Sequence, residues 1–374
     1  MKKVISYIIS VPPIVNKIHE LFNDNGYELF LIGGAVRDSL LNIQPKDFDL
    51  VTNALPNKVI ELLKNVPFVT SILETGKVFG VINVITNDGE FEIATMREDG
   101  EYSSNRRPDS VTFTTIEKDV LRRDLRINAL FYDISTKEVV DLVGGISDLQ
   151  KGIIRTVGNP TDRFNEDKLR IIRSVRFSAR FGSDLDSEID AALKKDASLE
   201  GISGERIRDE FIKGVKSAKS VIQFLETLDK YNLLDWIFKG LHVNKPFAED
   251  RDIIVLIAGL LNGNDIGLLN KQLNLLKYPL DEIKAVSFLI SLLSLSPDTA
   301  VSLKRQQKNS HAAKYQIIAF ARRNDMNLRL LNTFLNYQLT VTGEEVMREY
   351  NLPQGKALGD MINKLETNLF KEML

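Results

Sequence analysis

The sequence LIGGAVRD, residues 31–38, decides the fold, because a strand-like apolar run enters two glycines and a helix start follows. A turn of this kind lets backbone N–H groups approach a phosphate closely, and Arg37 adds a cation beside them. The same letters also suit an ordinary tight turn. The stretch therefore predicts a strand–turn–helix unit, with a phosphate site at Gly33, Gly34 and Arg37 as the functional interpretation.

A carboxylate pair, Asp47-Phe48-Asp49, follows the glycine turn and leads into Leu-Val-Thr. If Asp47–Thr52 is a strand, the two carboxylates point to the same face. Adjacent carboxylates repel each other unless cations neutralise them, and such oxygen pairs suit Mg²⁺ that bridges substrate phosphates. A solvated acidic edge strand has the same pattern, but the nearby glycine turn favours the metal site. Glu92 is a candidate third ligand, with a solvated strand glutamate as the alternative.

Short strand-like runs alternate with turn signals from Glu28 to about Asp141, whereas nearly every segment beyond Asn159 has helical spacing. The predicted strands include 28–32, 47–52, 80–85, 89–96 and 111–115. We therefore predict an α+β protein, with a mixed α/β N-terminal half and an all-helical C-terminal half.

Composition excludes several classes of protein. The net charge of −2 gives no global basic excess, so any RNA contact must use local patches. The absence of cysteine excludes disulfides, thiolate metal sites and cysteine nucleophiles, and it fits a cytoplasmic protein. The longest apolar runs, 253–261 and 285–295, are shorter than the roughly 20 residues of a spanning helix. We expect buried helices there and no membrane association.

One local patch is basic: residues 299–324 contain no acidic residue. Its cations are Lys304, Arg305, Lys308, Lys314, Arg322 and Arg323. They predict a phosphate-binding surface for RNA. The solvated face of an ordinary amphipathic helix is the alternative.

Five motifs occur in a fixed order: GGAVRDSLL at 33–41, DFDLVT at 47–52, RRDLRINAL at 122–130, GNPTDRFNEDKLRIIRSVRF at 158–177 and ISGERIRDEF at 202–211. In this order they resemble class II tRNA nucleotidyltransferases, and they are similar to the related bacterial poly(A) polymerases. Changes of pattern near residues 140, 206 and 290 divide the chain into four parts. With the resemblance they are a nucleotidyltransferase-type head at 1–140, a helical neck at 141–205, a helical body at 206–290 and a helical, tRNA-binding tail at 291–374.

The resemblance also implies roles for single residues. Asp47 and Asp49 would be the catalytic metal ligands, and Gly33, Gly34 and Arg37 would hold the incoming triphosphate. The motif that reads the ribose matches at Arg122, Arg123, Asp124 and Asn128, with ordinary surface charge as the alternative for the two arginines. It departs from the usual pattern at Arg126, where a small threonine is typical.

Asp167 and Arg170 match the motif with which this family selects the incoming base in place of a nucleic-acid template. Three residues apart, they are expected to share a helix face. A carboxylate accepts from an exocyclic amine while a guanidinium donates to a ring nitrogen, so the pair fits cytosine and adenine but opposes uracil and guanine. Arg173 and Arg176 continue the spacing and extend the nucleotide site, unless they are solvated helix arginines.

The resemblance implies addition of CCA to the 3′ end of tRNA, from CTP and ATP, with Mg²⁺ and release of pyrophosphate. No obligate protein partner is inferred. An enzyme limited to A and a poly(A) polymerase are alternatives, although the latter typically has proline where Lys168 stands. A catalytically inactive RNA-binding module is another, but it is expected to have lost Asp47 or Asp49. The polar, glycine-containing segment 96–108 argues against an enzyme limited to CC.

Overall fold

The computed structural model describes residues 3–102 and 108–374. It forms two compact units, Met1–Ile202 and Ser203–Leu374. The strands are β1 (Lys3–Ser6), β2 (Leu29–Ile32), β3 (Leu50–Thr52), β4 (Val69–Leu73), β5 (Val81–Thr86), β6 (Gly89–Thr95), β7 (Arg97–Asp99), β8 (Val111–Phe113), β9 (Leu130–Asp133), β10 (Glu138–Asp141), β11 (Ile153–Ile154) and β12 (Asp184–Leu185).

The helices of the first unit are α1 (Pro13–Asp24), α2 (Gly34–Leu40), α3 (Pro56–Leu63), α4 (Ile116–Asp119), α5 (Gly145–Lys151), α6 (Pro160–Glu166), α7 (Leu169–Phe181) and α8 (Ser187–Lys195). Those of the second are α9 (Gly204–Ser217), α10 (Val221–Lys230), α11 (Leu233–Ile237), α12 (Ile253–Leu261), α13 (Ile266–Leu275), α14 (Leu280–Ser291), α15 (Ala300–Gln307), α16 (Lys314–Arg323), α17 (Leu328–Asn336), α18 (Gly343–Tyr350) and α19 (Lys356–Glu372).

The first unit is built on an eight-stranded sheet with the order β1-β10-β9-β2-β3-β6-β5-β4. Only the β3–β6 pair in this sheet, as described, is parallel; the other neighbours are antiparallel. Two smaller ladders join β7 to β8 and β11 to β12. The predicted mixed head and the α+β class are confirmed.

A cluster of buried apolar side chains covers each face of this sheet. Alternate residues of a strand point to opposite faces, so neighbouring positions belong to different clusters. Leu50 and Ile93 are opposite each other in the β3–β6 ladder and belong to one core cluster. The next pair, Val51 and Ala94, belongs to a second cluster on the other face. Side chains two positions before Val51 and Ala94 therefore lie on this second face.

The second unit is helical throughout its described regular elements, which agrees with the predicted helical C-terminal half. The apolar helix α12 is buried from Val255 to Leu261, as expected for a core helix. Helix α14 and the turn that follows cover the other long apolar run, 285–295. Among the described residues no helix is long and apolar enough to cross a membrane. The four-part division into head, neck, body and tail stays a prediction.

Candidate active site

The glycine turn joins β2 to α2 as predicted. Gly33 has φ +65°, a backbone conformation in which an L side chain is strained, so glycine is required there. Its N–H donates to the carbonyl of Leu130 at 3.1 Å, and its carbonyl accepts from the N–H of Arg37 at 3.1 Å. The turn is thereby fixed to β9, the strand that neighbours β2 in the sheet.

Arg37 is buried, with 4% of its surface exposed. Its Nε donates to Asp38 Oδ1 at 2.8 Å, and it also donates to the side-chain oxygen of Asn128. The guanidinium lies over the rings of Phe177 and Phe181, 5.0 and 5.1 Å from their centroids. Burial lowers the pKa of Arg37, and the charge of Asp38 opposes this. Arg37 is therefore held in place by its own protein, and its contact with a triphosphate stays a prediction.

Asp47 and Asp49 precede the strand that was predicted to contain them. The carbonyl of Asp49 accepts the N–H of Ile32 at 3.0 Å, but β3 begins only at Leu50. The prediction of a strand over 47–52 was wrong at its start, because the chain of β2 turns away at Gly33 and leaves no partner for Asp47. Both side chains are exposed at this end of the sheet.

Parallel pairing brings a third carboxylate close. Leu50 is opposite Ile93 in the parallel β3–β6 ladder. The residues just before them, Asp49 and Glu92, are therefore also neighbours, and both lie on the second face of the sheet. Loss of hydration raises the pKa of Asp49, and the charge of Asp47 raises it further, while Arg123 opposes both. Loss of hydration and then the charge of Asp49 likewise raise the pKa of Glu92. The three carboxylates thus share one electrostatic environment.

The residues of this cluster suit a divalent cation shared with a substrate. In the part of the chain that the structure describes, no three histidine, cysteine, aspartate or glutamate side chains converge as a complete metal site. Mg²⁺, however, is usually bound by one or two carboxylates together with substrate phosphates and water. The Asp47–Asp49 pair, with its mutual repulsion, fits that donor set. Glu92 as a third ligand stays a prediction.

Asp124, Asn128 and Arg173 form one polar group. Arg173 Nε donates to Asp124 Oδ2 at 2.8 Å, and Asn128 Nδ2 donates to Asp124 Oδ1 at 3.2 Å. Burial alone raises the pKa of Asp124, but the charge and hydrogen bonds of Arg173, with the Leu125 N–H and Asn128, lower it to about 2. The ribose-motif residues are therefore linked to α7, which carries Arg173.

Asp119 was not predicted as a site residue. It is fully buried and pairs with Arg122 at 2.8 Å and with Arg123 at 2.7 Å, which are three and four residues further on. Burial raises the pKa of Asp119, yet the charges of Arg123 and Arg122 outweigh it and the pKa is lowered. An acidic residue three and four positions before two arginines is the signal in the sequence that could have identified it.

The structure corrects the predicted helix of Asp167 and Arg170. Helix α6 ends at Glu166 and α7 begins at Leu169, while Asp167 between them is extended, with φ −147° and ψ 103°. Asp167 Oδ1 accepts the N–H of Leu169 at 3.0 Å. Aspartate competes with a continuing helix by such local bonds. The two residues are adjacent at a helix junction, and do not lie on the face of one helix.

Arg170 is engaged on several sides. It pairs with Glu166, and its Nη2 donates to the carbonyl of Arg122 at 2.9 Å. Further along α7, Arg176 lies over the ring of Phe177, 4.1 Å from its centroid, and is 7% exposed. The alternative of a solvated row of arginines is therefore excluded for Arg176.

The segment 96–108 begins as part of the β7–β8 hairpin, where Arg97 is opposite Phe113. Tyr102 donates its hydroxyl to Asp99 at 2.6 Å. The rest of the predicted mobile loop, residues 103–107, lies outside the described residues.

The basic patch is only partly on the surface. Lys304 Nζ donates to the carbonyls of Phe334 and Leu335 at 2.9 and 3.1 Å, and so binds the C-terminal end of α17. Arg323 packs against Gly259 of α12, and burial lowers its pKa. The prediction of six surface cations was wrong for these two, because both turn towards the interior. The exposed members are Arg305, Lys308, Lys314 and Arg322.

The chain matches known nucleotidyltransferases over most of its length. Residues 29–155 match the model of the poly(A) polymerase head domain, and residues 184–244 match that of the probable RNA and SrmB binding site of polymerase A. A CCA-adding enzyme of Lactobacillus helveticus is 34% identical over 80% of this chain and 68% of its own length. A poly(A) polymerase I of Salmonella typhi is also 34% identical, over 68% of this chain and 56% of its own. The matched class is that of template-independent nucleotidyltransferases.

The chain belongs to the tRNA nucleotidyltransferase/poly(A) polymerase family. A CCA-adding enzyme of Ligilactobacillus salivarius is 29% identical over 96% of this chain and 91% of its own length. In structure, the chain is similar to the CCA-adding enzyme of Bacillus stearothermophilus in complex with CTP. The TM-score is 0.71 and the identity 22%, over 97% of this chain and 94% of that one. The Thermotoga maritima CCA-adding enzyme complexed with tRNA has a TM-score of 0.67 at 20% identity, over 98% and 96%. These two likenesses establish the fold.

Proposed function

We propose that this protein adds CCA to the 3′ end of tRNA, using CTP and ATP without a nucleic-acid template and releasing pyrophosphate. The observation that carries the proposal is a carboxylate pair beside a glycine turn, in a chain that matches a CCA-adding enzyme along 91% of that enzyme's length. We also place the enzyme in the cytoplasm, where its substrates occur.

The reaction is attack of the tRNA 3′-hydroxyl on the α-phosphate of the nucleotide. Mg²⁺ held by Asp47 and Asp49 would activate the hydroxyl and neutralise the charge of the leaving pyrophosphate. Asp124 and Asn128 orient the ribose, and Arg123 and Arg173 fix the atoms around it. The work of the side chains is therefore positioning, and no side-chain nucleophile is required.

Selection of the base is assigned to Asp167 and Arg170. Asp167 accepts the N–H of Leu169, and Arg170 pairs with Glu166 and donates to the carbonyl of Arg122. A cytosine or adenine edge must exchange with some of these contacts, because carboxylate and guanidinium atoms are the donors and acceptors that it needs. The backbone of Asp167 is itself held on both sides, because its N–H donates to the carbonyl of Arg163 at 3.4 Å and its carbonyl accepts the N–H of Arg170 at 2.9 Å. The exchange with a base edge therefore involves the side chains only.

The tRNA itself would bind in part through the exposed cations Arg305, Lys308, Lys314 and Arg322 of the second unit. They lie on α15, on α16 and on the segment between them, and cations on such a surface attract backbone phosphates through their charge. We retain the tail at 291–374 as the tRNA-binding part of this proposal.

The decisive experiment supplies purified protein with tRNA that ends at the discriminator base. With CTP alone we expect two additions, and with CTP and ATP together three. A protein that ignores CTP on this tRNA, yet adds A to tRNA ending in CC, is an A-adding specialist and contradicts the proposal. Repeated addition from ATP alone identifies a poly(A) polymerase, and no addition in any mixture identifies an inactive RNA-binding module.

The loop prediction gives a second test of complete CCA addition. Deletion of residues 100–108 and closure of the β7–β8 hairpin by a short turn is expected to stop the reaction after CC. A variant that still adds A at the wild-type rate contradicts a role of this segment in the change from cytosine to adenine.

A further inference from the structure

Asp38 connects two arginines that belong to different helices of the first unit. Its Oδ1 accepts the Nε–H of Arg37 at 2.8 Å, and the Nη2 of the same guanidinium lies 2.7 Å from that oxygen. Its Oδ2 accepts an N–H of Arg180 Nη2, from the last turn of α7, at 2.8 Å. Both oxygens of this buried carboxylate therefore pair with guanidinium groups, and they join α2 to α7.

The two arginines also share an aromatic ring. The guanidinium carbons of Arg37 and Arg180 are 5.1 and 5.0 Å from the ring centroid of Phe181. Phe177, one turn earlier in α7, stacks beside Phe181 at 6.0 Å and lies 5.0 Å from the Arg37 guanidinium. Burial lowers the pKa of Arg37, the charge of Asp38 raises it, and the charge of Arg180 lowers it. Two cations this close repel each other, and the carboxylate between them offsets that repulsion.

The Arg37 guanidinium lies against the glycine turn. Its Nη2 is 3.6 Å from the position that a Cβ on Gly34 would occupy. A guanidinium carries more N–H groups than its bonds to Asp38 and Asn128 use, so it can still bind a phosphate. The contacts that hold Arg37 therefore fix a phosphate-binding group beside the turn.

A continuous series of side-chain bonds leaves α7 and returns to it. From Arg37 the series runs to Asn128, and Asn128 donates to Asp124 at 3.2 Å. Asp124 accepts the Nε–H of Arg173 at 2.8 Å, and Arg173 lies on α7 about two turns before Arg180. The glycine turn and the ribose-motif residues are thus attached to one helix at two points.

We infer that Asp38 is a positioning residue for the incoming triphosphate, because it holds Arg37 against the glycine turn while Arg180 of α7 holds Asp38. The inference rests on the proposed function, and in particular on contact of Arg37 with the triphosphate. The charge of Asp38 by itself repels phosphates. Its contribution is therefore to direct Arg37, and it does not attract the ligand.

The test compares binding of CTP with binding of cytidine, which has the same base and ribose but no phosphate. Labelled CTP and labelled cytidine are measured on the whole chain without tRNA, by equilibrium dialysis. Asp38→Asn keeps the shape of the side chain but removes the charge that fixes Arg37. We expect it to bind CTP about 10- to 100-fold more weakly, the loss typical of one hydrogen bond to a charged group, and to bind cytidine as wild type does. Charge alone would make this variant bind CTP more tightly, so the sign of the change is decisive.

Asp186→Asn is the matched control in the same unit. The side chain of Asp186 is 15% exposed and that of Asp38 10%. Asp186 also accepts from an arginine, the Nε–H of Arg155 at 3.1 Å. Loss of this pair should leave the ratio of CTP affinity to cytidine affinity unchanged.

Arg180→Gln tests the second link of the series. It should weaken CTP binding less than Asp38→Asn does, and Arg180→Lys, which keeps the charge, should weaken it less again. The double variant should match Asp38→Asn within about twofold, because effects that act through a shared partner do not add. A further loss in the double variant would mean that Arg180 binds the phosphates directly, and this contradicts its positioning role. If Asp38→Asn does not fold, Asp38→Glu, which displaces the carboxylate, replaces it in the same comparisons.

The outcomes separate this inference from the proposed function. Equal or tighter CTP binding by Asp38→Asn overturns the inference alone, and so does an equal loss of CTP and cytidine binding, which a general structural defect produces. Unchanged CTP binding by Arg37→Gln overturns the triphosphate contact on which both depend. A wild-type protein that adds no nucleotide to tRNA overturns the proposed function.

Discussion

The arginines of the first unit and the cations of segment 299–324 carry the same charge but are held in opposite ways. Arg37, Arg123 and Arg173 are each paired with an aspartate, Asp38, Asp119 and Asp124 respectively. The exposed cations Arg305, Lys308, Lys314 and Arg322 make no ion pair or side-chain hydrogen bond within the described residues. The difference lies in the acidic partners, which the segment lacks entirely.

This difference matches two kinds of ligand. A fixed guanidinium has little freedom to lose when a small nucleotide binds, and so it can impose one geometry on the reacting atoms. A flexible cation on the surface interacts with phosphates mainly through charge, tolerates many positions, and releases counterions as it binds. We therefore expect the first unit to carry the chemistry and the selection, and the segment to contribute to binding a long polyanion.

The largest effect is expected at the carboxylate pair. Asp47→Asn or Asp49→Asn should lower nucleotide addition on the order of a thousandfold or more, because metal stabilisation of the transition state is worth several kcal/mol. The thermal midpoint should stay close to wild type, since the pKa of Asp49 is raised and its charged form is not favoured by folding. Asp88→Asn, on the exposed β5–β6 turn, is the control. Appreciable activity in either site variant contradicts the assignment.

A smaller change is expected in base selection. Asp167→Ala should allow incorporation of UTP or GTP while use of CTP and ATP falls, because loss of bonds to a base edge removes about 1–3 kcal/mol of discrimination. Competition between labelled nucleotides measures the ratio directly. Lys168→Ala, next along the chain, should leave it unchanged. If selectivity survives in Asp167→Ala, another residue reads the base.

The pairing of Asp124 with Arg173 gives a prediction on stability. Asp124→Asn should lower the free energy of unfolding at pH 7 by about 2 kcal/mol, from a pKa that is 3.8 when unperturbed and about 2 in the fold. A lowered pKa stabilises the fold at pH values above the pKa of the unfolded chain, so the difference from wild type should shrink as pH falls below 3.8 and vanish only below about 2. Urea unfolding at several pH values checks this, with exposed Asp184→Asn as control. A pH-independent difference would mean that packing, and not charge, is responsible.

The smallest effects concern the surface cations. Arg305→Gln, Lys308→Gln, Lys314→Gln or Arg322→Gln should each reduce the dependence of tRNA affinity on salt by about one unit in the slope of log K against log salt concentration. Lys304→Gln and Arg323→Gln are matched controls on the same helices, and should lower stability without altering that slope. Equal changes in slope for both groups would contradict the division between surface and interior cations.

Sequence patterns predicted the sheet well because alternation and turn residues are local signals. Strand β6 was predicted at 89–96 and is observed at Gly89–Thr95. Its first residue is a glycine, a turn signal that is visible in the sequence itself. The glycine turn at Gly33 was predicted for the same reason. The start of β3 was not predicted correctly, because it depends on where its partner strand β2 turns away at Gly33.

The break at Asp167 was missed because helical spacing continues across it and no proline or glycine marks it. The capping bond of Asp167 competes with the helix by a small energy that spacing alone does not reveal. In the same way, nothing local distinguishes Lys304, which reaches the end of α17, from exposed Lys308. A local side-chain bond decides the first case, and contacts between residues about thirty positions apart decide the second.

The edge strand β1 has a consequence for how the protein is made. Residues Lys3–Ser6 pair with Glu138–Asp141, so this edge of the sheet cannot close on the ribosome until more than a hundred intervening residues have been translated. Contacts so distant in the chain close slowly, because loop entropy is lost before they form. During synthesis, β1 therefore stays unpaired until β10 has been translated. The head is expected to complete its folding late in its own translation, after its inner strands have paired.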